Sequence, residues 1–111
     1  MNFLVQLKLA GRPANPQEGI VFMEQMVLPT LELCRTLEAE RKIVAGGPSN
    51  GAIALSLIVS AESGQELDGL ISSLPIWPLM ETTVTPLSTF DVRAQEVRVR
   101  LEKAKAQGGV R

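Results

Sequence analysis

The chain opens with alternation: Phe3, Val5, Leu7 and Leu9 occupy odd positions, while Gln6 and Lys8 share the even ones with Leu4. A period of two predicts a half-buried strand over residues 3–9. The period then changes. After a loop, Asn15, Pro16 and Glu18 supply an N-cap, a first-turn proline and a capping-box partner, and Ile20, Met23, Val27, Leu31, Cys34 and Leu37 recur at helical spacing. A helix is expected across residues 16–40, with its core face along that whole stripe. Pro29 interrupts it, removing one backbone hydrogen bond and clashing with the carbonyl four residues back, at about 3 kcal/mol if uncompensated. A kink with the ring turned to solvent is expected, two shorter helices being the other outcome.

Residues 42–45 form a short strand candidate, 46–51 a Gly-rich turn, and 52–59 a nearly continuous apolar run expected as a central strand. Its bulkier face carries Ile53, Leu55, Leu57 and Val59. Ser63 and Glu66 make a capping box before Leu67, Leu70, Ile71 and Leu74, a short amphipathic helix. Pro75 and Pro78 stop that helix and are expected to hold Ile76 and Trp77 extended, after which the β-branched residues 81–85 read as a strand.

The element order is βαββαβ, an α+β, ferredoxin-like arrangement with an antiparallel sheet and both helices on one face. By alternation the other face carries Leu4, Gln6, Lys8, Ala54, Ser56, Ile58, Thr83 and Thr85, too apolar for free solvent and too polar for a core. A second copy packing its sheet against this one meets both demands. Residues 1–88 then form the domain, and residues 89–111 a C-terminal amphipathic helix with a frayed tail. In that helix Phe90, Ala94, Val97, Leu101 and Ala104 form an apolar stripe expected to pack on the partner subunit, while Gly108 and Gly109 end it.

The segment Ser73-Leu74-Pro75-Ile76-Trp77-Pro78-Leu79-Met80, followed by Val84-Thr85-Pro86-Leu87, resembles the muconolactone isomerase family, and Phe3-Leu4-Val5-Gln6-Leu7 is similar to that family's first strand. The resemblance implies a dimeric α+β barrel and a cofactor-free proton shift on a lactone in a pocket near the dimer interface. It also implies a histidine on the strand after the long helix, where this chain has Lys42-Ile43-Val44-Ala45-Gly46. First-strand positions that hold histidine or lysine in some members are Leu4 and Gln6 here.

Composition narrows the chemistry. The 111 residues are 45% hydrophobic, enough for one domain with one core, and a formal charge of −1 gives no field favouring nucleic acid or a membrane surface. No leader, membrane span, metal or cofactor is expected, and a single cysteine, Cys34, reads as a buried small hydrophobe in a cytoplasmic protein. Histidine and tyrosine are absent, so a serine-hydrolase triad and a typical zinc site are excluded, and proton transfer falls to Asp, Glu, Lys or Cys. Turnover of muconolactone is therefore expected to be very slow.

Lys8 is the candidate proton carrier, and Gln6, Ser56, Trp77 and Thr83 are the expected substrate contacts. Trp77 would wall a pocket or pack on the partner. Two functions are compatible with these residues: a homodimeric or larger protein that binds or isomerises a small hydrophobic metabolite, and an oligomeric assembly module without catalysis.

Overall fold

The computed structural model describes residues 1–108. Along it run β1 (Asn2–Leu9), α1 (Pro16–Phe22), a π-helical turn (Met23–Val27), α2 (Leu28–Ala39), β2 (Ile43–Pro48), β3 (Ala54–Ser60), α3 (Gly64–Ser72), a 3-10 turn (Trp77–Leu79), β4 (Met80–Leu87) and α4 (Phe90–Ala106). The strands form one antiparallel sheet in the order β2-β3-β1-β4, which is the expected ferredoxin-like βαββαβ topology. The frayed tail from Gly109 onward lies outside the described residues.

Register sets the core. Phe3, Val5 and Leu7 stand opposite Val59, Leu57 and Leu55, all six are buried, and Leu37, Leu67, Ile71 and Leu74 close over them. Burying a side chain of this size stabilises by about 1.5–3 kcal/mol. The helices are held at their starts by local chemistry: Ser63 Oγ accepts from the Glu66 N–H at 3.1 Å, and Asn15 Oδ1 from the Glu18 N–H at 2.9 Å.

The long helix runs through Pro29 without a break. A π-helical turn precedes Pro29, and within it the Leu28 N–H donates to the Met23 carbonyl five residues back. The extra residue in that turn relieves the clash that the proline ring makes in a regular α-helix. The core face is shorter than the apolar stripe. No residue of α1 or the π-helical turn is buried, Ile20 and Met23 being 46% and 52% exposed, and full burial begins at Thr30. The first turns overhang the end of the sheet, beyond the strands that would cover them.

Three local expectations change for backbone reasons. Ile76 takes helical angles (φ −80°, ψ −13°), and Trp77 to Leu79 form a 3-10 turn rather than an extended link. The Trp77 N–H donates to the Leu74 carbonyl and the Leu79 N–H to the Ile76 carbonyl, and the φ that proline imposes suits a turn as well as an extended chain. β2 continues through Gly46, Gly47 and Pro48, past a bulge between Ile43 and Ala45, so the hairpin turn begins later than the glycines suggest. Ile53 precedes β3 and is exposed rather than part of its buried face. Finally, α4 buries none of its residues and Phe90 is 95% exposed, so the stripe is uncovered within one chain.

Candidate functional site

The register places Ser56, Gln6 and Thr83 in one row across three strands, since Gln6 stands opposite Ser56 on β3 and opposite Thr83 on β4. Paired residues share a sheet face, with Cβ atoms about 4.5–5.5 Å apart. This row lies on the face that carries no helix. One step along, Lys8 stands between Ala54 and Glu81, and on the other side Leu4 stands between Ile58 and Thr85. The mixed face expected from alternation is therefore assembled, with Lys8 and the exposed carboxylate of Glu81 as its neighbouring opposite charges.

Trp77 belongs elsewhere. It shares a groove of about 390 Å³ with Asp68, Ile71, Ser72, Thr82 and Val84, and Thr82 and Val84 pair with Leu7 and Val5 of the helix-covered face. Of the four expected substrate contacts, three come together and Trp77 stands on the opposite side of the sheet.

A larger cavity, about 560 Å³, sits at the shared end of β1 and β4 beneath the start of α1. Leu9, Pro13, Phe22, Pro78, Leu79 and Met80 form its apolar walls, and Arg12 and Glu18 bring charge to it. The double-proline turn thus supplies one wall and the loop after β1 the other. That loop is tied down by the Leu9 N–H to the Ile53 carbonyl at 3.0 Å and the Ala10 N–H to the Leu79 carbonyl at 3.3 Å. Glu18 is already engaged, its Oε2 accepting from the Ala14 N–H at 2.9 Å. Arg12 forms no ion pair among the described residues. Sequence reading missed Arg12 as a site residue and saw Glu18 only as a cap. The signal was a lone cation in a Gly-Arg-Pro loop, whose cavity is closed by Pro78, Leu79 and Met80, more than 60 positions away.

Cys34 is half-buried beside the core, and burial pushes its thiol above its ordinary range, with the Glu38 carboxylate adding to the effect. A thiol held neutral is a poor nucleophile. Among the described residues no three His, Cys, Asp or Glu side chains are grouped to hold a metal ion, and no helix is long and apolar enough to cross a membrane.

Sheet order, helix placement and a strand-end cavity define a ferredoxin-like α+β protein. More particularly, the chain belongs to the muconolactone delta-isomerase family, whose model matches residues 1–93. Among solved structures it is similar to a muconolactone isomerase, with 21% identity and a TM-score of 0.67 over 80% of this chain and 90% of that one. It is also similar to the 5-chloro-2-hydroxyhydroquinone dehydrochlorinase of Burkholderia phenoliruptrix in complex with 2,5-dihydroxybenzoquinone, with 24% identity and a TM-score of 0.61 over 82% and 97% of the two chains. No curated protein matches the chain significantly.

Proposed function

We propose that this protein binds a small, largely apolar metabolite, lactone-like or derived from an aromatic ring, and does so as a homodimer. The ligand body occupies the cavity at the end of β1 and β4, and a second copy covers the open sheet face. The observation that carries this reading is the cavity itself: its volume falls in the range of small-molecule sites, its walls are apolar, and the Arg12 guanidinium, in no ion pair among the described residues, stands at it to orient a polar end. Gln6, Lys8 and Thr83 lie on those same two strands and Ser56 on neighbouring β3, on the face turned to the second copy. Muconolactone and 2,5-dihydroxybenzoquinone, named for two proteins of this fold, are the natural probes.

Calorimetric titration of the purified protein with each probe tests the reading. Saturable binding of one of them is expected, abolished by Leu79→Glu and weakened about tenfold by Arg12→Ala, which corresponds to 1.4 kcal/mol. Absence of saturable binding by both probes overturns it. Sedimentation tests the dimer, since a stable monomer at micromolar concentration contradicts the covered sheet face.

A second reading, an assembly module without a ligand, is favoured by the uncovered stripe of α4 and the unoccupied sheet face. It predicts stable oligomers whose cavity accepts neither probe.

A further inference from the structure

Charge is segregated along this chain. Between residues 43 and 92 the charged side chains are Glu62, Glu66, Asp68, Glu81 and Asp91, all acidic, whereas the rest of α4 carries Arg93, Arg98, Arg100, Lys103 and Lys105 against Glu96 and Glu102. The formal charge of −1 conceals an acidic β3–α3–β4 region and a basic helix. At about 100° per residue, the stripe Phe90, Ala94, Val97, Leu101 and Ala104 is bordered by Arg93 and Arg100 on one side and by Arg98 and Lys105 on the other. Whatever receives the stripe meets the bases as well. Val92 and Val99 lie on the far side of the helix.

One place in the fold has the complementary character. The groove between α3 and the edge strand β4 offers the Trp77 indole and Val84 as apolar surface above the buried Ile71, with Asp68 as the charge among its lining residues. Trp77 and Val84 are each about two-fifths exposed there. The lengths agree: 17 residues of α4 span about 25 Å and eight residues of β4 about 27 Å.

We propose that α4 of a second copy docks in this groove, its apolar stripe on Trp77 and Val84 and its bordering arginines beside Asp68. The chain's own α4 is directed elsewhere. Only Ser88 and Thr89 separate it from β4, Thr89 Oγ1 already caps the helix by accepting from the Val92 N–H at 3.1 Å, and the molecule extends to 69 Å against 29 and 23 Å in the other directions. A two-fold axis makes the exchange reciprocal, each copy giving a helix and receiving one. This contact is separate from the sheet face and from ligand binding in the cavity; it shares with the proposed function only the need for a second copy, and the Trp77 readout and the charge rescue test it apart from ligand binding.

Trp77 is the sole tryptophan of the chain, so its emission reports on the groove alone. Sedimentation of the full-length protein first sets the concentrations at which it is associated or monomeric. In the associated state Trp77 emission is expected to be blue-shifted and shielded from iodide, and on dilution to monomer to become exposed. Arg98→Asp with Arg100→Asp is expected to expose Trp77 and to increase its quenching several-fold, and adding Asp68→Arg to that background is expected to restore the shielding. The restoring substitution separates lost docking from lost folding. The proposal is overturned if Trp77 is solvent-exposed in the associated full-length protein. Shielding that persists in the monomer assigns the groove to the chain's own helix and overturns it too. So does shielding indifferent to the charge of α4, or charge reversal that Asp68→Arg fails to rescue.

Discussion

The hydroxyl oxygen of Thr30 accepts the backbone N–H of Ile76 at 3.1 Å, joining two segments 46 residues apart in a buried position. Thr30 follows the proline next to the π-helical turn, and Ile76 leads into the turn whose Pro78 and Leu79 line the cavity, so one hydrogen bond couples both irregular segments. Thr30→Val keeps the shape and leaves the Ile76 N–H buried without an acceptor, which costs about 1–3 kcal/mol. Chemical denaturation should show that loss, with Thr30→Ser retaining most of the stability. A valine variant as stable as the parent would mean that this link holds nothing together.

Arg41 ends α2 in the left-handed region, at φ 63°, where its N–H donates to the Glu38 carbonyl and the Lys42 N–H to the Leu37 carbonyl. This is a Schellman closure, for which glycine is the unstrained residue. Arg41→Gly should stabilise the fold by up to ~1 kcal/mol, read as a raised Tm. A lowered Tm would show that the arginine side chain contributes more than its backbone strain costs.

Gly46 sits at φ +105° where β2 crosses close to β3, and a Cβ there would run into the Ser56 carbonyl oxygen. Both strain and backbone overlap oppose alanine, so Gly46→Ala should destabilise by at least ~2 kcal/mol and disturb the Ser56 end of the polar row. Gly47→Ala, with open space around its Cβ, serves as the control. Equal melting temperatures for the two variants would count against the tight crossing.

Burial first, and Glu38 second, raise the Cys34 thiol above its ordinary range. Alkylation by iodoacetamide should therefore be slower than for a free thiol at neutral pH and should accelerate only in more alkaline solution. The sign for stability follows: a raised folded-state value contributes stability that is complete below the unfolded value and is lost as pH rises through the folded one. Cys34→Ala should flatten that alkaline decline. Alkylation as fast as that of free cysteine would contradict the raised thiol.

Muconolactone turnover should be very slow even where the lactone binds. Proton transfer needs a base whose affinity is matched to the working pH, and the groups available are the exposed Lys8 and Glu81 and a Glu18 carboxylate committed to the Ala14 N–H. An ultraviolet assay with purified protein decides it, and brisk isomerisation lost in Glu18→Gln would show that Glu18 leaves its cap to act on substrate.

Much of this protein was written locally. Alternation in residues 3–9 and 54–59 determined which sheet face is buried, capping boxes at Asn15 and Ser63 determined where helices start, and the βαββαβ order left one antiparallel topology. Alternation put Gln6, Ser56 and Thr83 on one sheet face, but a period of two fixes register only to within two residues, so their standing in one row was decided by the strand pairing. Other features depended on contacts between distant segments. The apolar stripe from Ile20 to Leu37 has one period throughout, yet only its second half has a sheet to cover it, because periodicity records amphipathicity and not the length of what lies opposite. The side of the sheet on which Trp77 lies was decided by the two backbone hydrogen bonds of the 3-10 turn, which proline's fixed φ permits but does not choose. Arg12 and Glu18 became cavity residues only when the loop after β1 met Pro78, Leu79 and Met80, a closure between segments more than 60 residues apart that no local pattern encodes.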